Sequence, residues 1–147
     1  MNHEIIQKAS AVINSKADYI GGGMEGYAVL SLLDENGYPT SSAITISKTD
    51  GINWLSFIVA THGTKAKRVA NSNKASVCLA SSEYNITLVG TAEIITDADI
   101  KRDHWQNVFV QGHHADYDSP DFSVLRFKTE TYNLYFAADD TEAKGSL

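Results

Sequence analysis

A chain of 147 residues, 43% hydrophobic and with a formal net charge of −6, has the size and apolar content of one globular domain, spanning 1–147. The acidic balance argues against non-specific binding to nucleic acid or an anionic membrane, and the single cysteine, Cys78, excludes an intramolecular disulfide. No apolar leader and no run of membrane-spanning length is visible, so a cytoplasmic protein is expected.

The N-terminal segment, within residues 1–18, reads as a helix. Ile5, Ile6, Ala9, Val12 and Ile13 fall on one face, Asn2 stands at the cap position and Lys16 in the last turn. Gly21-Gly22-Gly23 then breaks the pattern without the spacing of a dinucleotide-binding fingerprint. Tyr27–Leu33 reads as a strand closed by Asp34-Glu35-Asn36-Gly37, whose Asn-Gly pair favours a tight hairpin turn because both residues tolerate positive φ, a two-residue loop being the common form of such a pair. Thr40–Ser47 alternates, Lys48–Gly51 is a turn, and Ile52–Val59 is a third strand.

A short helix over Thr64–Ser72 follows, then strands over Ala75–Ser81 and Ile86–Thr96. Cys78 sits in an apolar run and is expected to be a small buried hydrophobe. Asp97 caps a further helix with Ile100, Trp105, Val108 and Phe109 on its inner side. Gln111–Asp121 is a polar loop, Phe122–Lys128 and Thr131–Ala137 are two last strands, and the tail 139–147 is expected to be mobile. Strands joined by short turns, with helices between some pairs, describe a mostly antiparallel barrel rather than a parallel doubly wound sheet.

The stretch with most chemical content is Ala60-Thr61-His62-Gly63-Thr64-Lys65-Ala66-Lys67-Arg68, where a strand hands over to a helix. A helix N-terminus presents unpaired N–H groups and partial positive charge. Three cations crowded at that end oppose the dipole unless an anion docks there. Two readings stand on spacing alone: a solvated basic helix face, or a phosphate site in which Lys65 and Arg68, three apart, share a face. His62 at this corner is either a hydrogen-bond donor to a ligand or a solvent-facing side chain.

Four further pieces carry a resemblance. They are Asp34-Glu35-Asn36-Gly37-Tyr38-Pro39, the strand Leu55–Val59 leading to Lys65, the run Asn73-Lys74-Ala75-Ser76-Val77, and Leu88-Val89-Gly90-Thr91-Ala92-Glu93-Ile94. In this order and spacing, over about residues 25–137, they resemble the FMN-binding split-barrel family that includes pyridoxamine 5'-phosphate oxidase and the small general stress proteins. The resemblance implies a mostly β (α+β) fold, an antiparallel split barrel of six to seven strands with peripheral helices. It also implies FMN as cofactor and a homodimer with FMN at the subunit interface.

Position by position, the resemblance puts Lys65 on the FMN phosphate, with Thr64 and Gly63 beside it and Arg68 nearby. Val59, Ala60 and Thr61 would lie along the ribityl chain and ring, Ser42, Ala43 and Ile44 would line the isoalloxazine, and Trp105 would cover it. Ser42 stands where many relatives carry an arginine, and Arg68 or Lys67 is expected to compensate. The acidic end Ala137–Ala143 disfavours a phosphorylated vitamin B6 substrate. The expected function is therefore an FMN-dependent oxidoreductase of an unspecified small molecule, with an electron donor or acceptor as partner. The alternatives are a non-enzymatic binder of FMN, haem or deazaflavin. His113-His114-x-Asp116-x-Asp118 reads as a solvated loop rather than a metal site, and Trp54, Phe57, Trp105, Tyr132 and Phe136 read as core or interface aromatics.

Overall fold

The computed structural model describes residues 2–17, 26–105 and 117–147. Eight strands and three helices follow in the order α1 (His3–Ala17), β1 (Tyr27–Leu33), β2 (Pro39–Thr45), β3 (Lys48–Asp50), β4 (Trp54–Ala60), α2 (Thr64–Asn71), β5 (Lys74–Ala80), β6 (Tyr84–Ile95), α3 (Ala98–His104), β7 (Phe122–Phe136) and β8 (Thr141–Ser146). Every ladder is antiparallel, and the strands run β2-β1-β5-β6-β7-β4-β3 across the sheet. The two ends of that path, β2 and β3, are successive pieces of one chain segment. Ile46 N–H donates to Gly26 O (2.9 Å) and Ser47 N–H to Ser56 O (2.8 Å), so the segment leaves β1 and joins β4. The sheet thereby curls into a split barrel with six staves: eight strands, with β2 and β3 counted as one and β8 outside the ring.

Alternation builds the interior. Leu30, Val77, Leu88, Phe57, Leu125 and Phe127, one or more from each neighbouring strand, are fully enclosed. Helix α1 packs Ile5, Ala9 and Ile13 onto this core, with Ile6 and Val12 at the margin, as its apolar spacing requires. Polar side chains fix the helix in place. Asn14 Oδ1 accepts from Gly51 N–H and from the Thr49 hydroxyl, both at 2.8 Å. Asn2 does not cap the helix with its side chain; Nδ2 donates instead to the Tyr132 hydroxyl, 3.0 Å away on β7.

Several expectations are corrected. The β1–β2 hairpin is a three-residue loop, not a two-residue one. Asp34 N–H bonds to Tyr38 O, Gly37 N–H to Asp34 O, and Gly37 alone adopts positive φ, at 83°. This is a type I turn followed by a left-handed glycine, and Asp34 Oδ1 holds it by accepting from Asn36 and Tyr38 N–H, each at 2.9 Å. Lys48–Asp50 is a short strand, because it continues the crossing segment onto β4. Cys78 is half-buried, since Val77 and Leu79 take the inward positions on either side of it. The tail expected to be mobile forms β8, paired to β7 from Thr131↔Ser146 to Phe136↔Thr141. Its polar residues carry no period-2 signal; main-chain pairing holds it, aided by buried Ala143 and by Asp140 in the left-handed region at φ 48°.

The two last strands are one, β7, paired along one edge to β6 from Tyr84↔Phe136 to Ile95↔Val124. Its other edge divides: 122–128 pairs with β4 and 131–136 with β8. A register shift at Val89/Gly90 allows the bend. Gly90 lies so close to β7 that a Cβ there would stand 1.9 Å from Lys128 O. Gly90→Ala is expected to cost roughly 3 kcal/mol or more in urea unfolding, as overpacking against main chain does. Gly37→Ala, where nothing lies near, is expected to cost only about 1–2 kcal/mol from its backbone conformation. Equal losses at the two positions would show that the β6–β7 contact is not tight.

Candidate functional site

At the end of β4 the chain turns sharply. Gly63 N–H donates to Ala60 O (3.0 Å) and Thr61 N–H to Asp121 O (2.8 Å), while the Thr61 and Ser123 hydroxyls share a 2.7 Å hydrogen bond. Gly63 is then the N-cap of α2, and it supplies no side-chain cap. The first turn carries no acidic residue. The first backbone bond of the helix is Lys67 N–H to Gly63 O (3.1 Å), so the N–H groups of Thr64, Lys65 and Ala66 have no protein acceptor among the described residues. A helix end in this condition is receptive to an anion.

Side chains reinforce the same polarity. Lys65 and Arg68 are half-buried and Thr64 and Lys67 exposed. Arg68 Nε is buried without a hydrogen-bond partner. A groove of about 170 Å³ runs along the helix, lined by Glu35, Thr64, Lys67, Arg68 and Asn71. Arg68 therefore sits one turn behind the uncapped end with a donor to spare. His62 is exposed.

The other expected site residues fall in three places. Val59 faces the core and can offer a ligand only its main chain, whereas Ala60 is exposed. Trp105 follows α3 and packs edge-on against Phe122, with ring centroids 6.1 Å apart, and Phe122 lies directly across from Ala60. Trp105 thus reaches the corner from the α3 side. Ser42 and Ala43 are exposed and Ile44 half-buried on β2, opposite Leu30, Val29 and Ala28 of β1. No hydrogen bond or ion pair among the described residues links that trio to the corner. His113, His114 and Asp116, like Val108, Phe109 and Gly21–Gly23, lie outside the described residues. Among the described residues no cluster of three metal-ligating side chains occurs.

The outer face of the β2-β1-β5-β6 sheet is set with small side chains. One row reads Ala43, Val29, Cys78, Thr87 and the next Ser41, Ser31, Ser76, Val89. Val29 and Val89 are 37% and 48% exposed, unusual for valines in the middle of strands.

A second cluster had no signal in the sequence. The inner face of α3 presents Lys101 and His104, not the expected Ile100 and Trp105. Lys101 Nζ donates to Ser119 O at 2.6 Å. His104 faces Arg126 of β7, with Nε2 3.0 Å from Nη2. Arginine only donates, so Nε2 accepts and Nδ1 carries the proton, which it gives to Ile100 O (2.8 Å). Burial lowers the His104 pKa below its ordinary value, and the Arg126 and Lys48 charges push the same way against the Ile100 bond and Asp103. The stability His104 contributes is therefore complete above about pH 6.5 and lost as pH falls toward the lower folded value. His104→Gln keeps a hydrogen-bonding side chain without a titration in this range. Wild type is expected to lose melting temperature more steeply than this variant between pH 7 and pH 5; parallel curves would exclude His104 as the cause.

A split barrel with an anion-receptive strand-to-helix corner defines a class of small ligand-binding domain. The chain belongs to the pyridoxamine 5'-phosphate oxidase family, which matches it over residues 24–136. No curated protein sequence matches it. Among solved structures it is similar to a protein related to general stress protein 26 from Clostridium acetobutylicum, with 21% identity, a TM-score of 0.81, and 100% and 97% of the two chains covered. It is also similar to a haem-binding protein from Mycobacterium smegmatis, at 17% identity and a TM-score of 0.70, covering 99% of this chain and 58% of the other. A third is a pyridoxamine 5'-phosphate oxidase-related, FMN-binding protein from Nostoc punctiforme, at 13% identity, a TM-score of 0.68 and 96% of each chain. At these identities the likeness shows the fold alone.

Proposed function

We propose that this protein is an FMN-dependent oxidoreductase of a small molecule, holding the FMN phosphate at the β4–α2 corner. The observation that carries the reading is the uncapped first turn of α2, with three N–H groups unclaimed and Lys65 beside them, in a chain of this family. The residues present fit a phosphate. Thr64, Lys65 and Ala66 N–H would bind its oxygens, the Thr64 hydroxyl and Lys65 ammonium would add to them, and Arg68 would supply the charge that Ser42 does not. Thr61 and Ala60 would lie beside the ribityl chain, and Trp105 would shield the ring from water. Bound FMN supplies hydride and electron transfer, so the protein's own work is to bind, orient and exclude solvent.

The exposed rows around Val29, Ala43 and Val89 suit a second copy of the chain, and a homodimer would bring Ser42, Ala43 and Ile44 into a cofactor cleft. Asp139, Asp140 and Glu142 at the β7–β8 end repel a phosphorylated substrate, which speaks against vitamin B6 oxidation. The haem-binding neighbour supports a second reading, a non-enzymatic binder of a planar cofactor. Deazaflavin in the same cleft is a variant of the first.

Purified protein is expected to take up FMN and show its flavin absorption bands. Lys65→Ala is expected to weaken FMN at least about tenfold, the loss of one charge-assisted contact, and Lys65→Arg to retain most of the affinity. Unchanged affinity in Lys65→Ala would remove the corner from the site. Anaerobic bleaching by NAD(P)H separates enzyme from binder, and uptake of haem in preference to FMN favours the second reading.

A further inference from the structure

A larger cavity lies away from the α2 groove and shares no lining residue with it. It has a volume of about 440 Å³ and is walled by Trp54, Asn73, Thr91, Glu93, Arg126 and Lys128. The ladder explains the grouping. Trp54, Lys128 and Thr91 form one cross-strand row over β4, β7 and β6, and Arg126 pairs with Glu93 in the row beside it. These side chains leave the sheet on its outer face, while Leu55, Phe127 and Ala92 between them go to the core.

Arg126 is held as a receptor would be. Its guanidinium lies 4.8 Å from the centre of the Trp54 ring, and Nη2 is tied to neutral His104. Neither contact cancels its charge. No carboxylate among the described residues comes within ion-pair distance of Arg126, and its Nε is buried with no protein partner. A half-buried guanidinium already oriented by these contacts, with its Nε desolvated and unpaired, loses little more by binding an oxyanion. Lys128 adds a second, exposed cation on the same wall. Glu93, exposed and in no ion pair among the described residues, sets a limit on ligand charge and offers an acceptor, as does Asn73.

We infer that this cavity is a second ligand site, for a small organic monocarboxylate that also carries a hydroxyl or amino group. Arg126 and Lys128 take the carboxylate, and Glu93 and Asn73 take the donor group. Dianions are disfavoured by Glu93. The site is independent of the flavin reading, since none of its residues belongs to the β4–α2 corner.

The test is an NMR titration of the isotope-labelled full chain with 4-hydroxybenzoate, following the Arg126 Nε–H and Trp54 indole N–H signals. Saturable shifts at both are expected, with 4-hydroxybenzamide, the uncharged analogue, moving neither. Arg126→Lys keeps the charge but loses the fork and is expected to weaken binding about tenfold. Lys128→Ala changes an exposed side chain without disturbing the core, and is expected to weaken it by a factor of about three. Lys65→Ala is expected to bind 4-hydroxybenzoate as wild type does, whatever becomes of FMN. The inference is overturned if no saturable shift occurs by about 10 mM, the weak end of specific affinity, if the amide binds equally well, if inorganic phosphate alone binds, or if Lys128→Ala and Arg126→Lys both bind as wild type.

Discussion

The close approach of β6 to β7 at Gly90 governs the architecture. Only a residue without a Cβ lets the two main chains come together at Lys128 and still stay paired on both sides of the shift. The bend that results gives β7 two different neighbours on its far edge. One half closes the barrel through β4, and the other carries β8 outside it. Both the β4–α2 corner and the Arg126 cavity lie on the half that runs with β4, so one main-chain contact sets the frame for each.

The two candidate sites use positive charge in different ways. At the α2 corner the charge is spread over N–H dipoles and long flexible side chains, and it faces a groove open to solvent. At Arg126 it is one planar group clamped between an indole and an imidazole. The first arrangement suits a polyanionic headgroup that brings its own hydrogen-bond acceptors. The second suits a single oxyanion presented edge-on.

Much of the barrel was legible because its strands are short apolar runs set between turn residues. Tyr27–Leu33 and Ala75–Ser81 read as short apolar runs closed by turn residues, and in the fold Ala28, Leu30 and Leu32, and Ala75, Val77 and Leu79, turn inward at every second place. The β4–α2 corner was legible as a strand handing over to a helix whose first turn has cations and no acid, a pattern that on spacing alone fits a solvated face as well as a phosphate site. Strand β8 was hidden because its pairing is made by main chain, which leaves no mark in side-chain type. The Arg126 cluster was hidden for a different reason. Trp54, Glu93, His104 and Arg126 come from four elements, and only the register of the ladder brings them together. A lone arginine within an apolar strand reads as an outward-facing position, and nothing near it in sequence shows which ring it lies over.

The hairpin of β7 and β8 also ties down helix α1. Asn2 donates to Tyr132 and to Lys144 O, and Lys8 pairs with Asp139 at 3.4 Å. Helix α1 and the β7–β8 hairpin thus make up one clasp. Loosening either one would loosen the other as well, so helix α1 and the β7–β8 hairpin share a common fate.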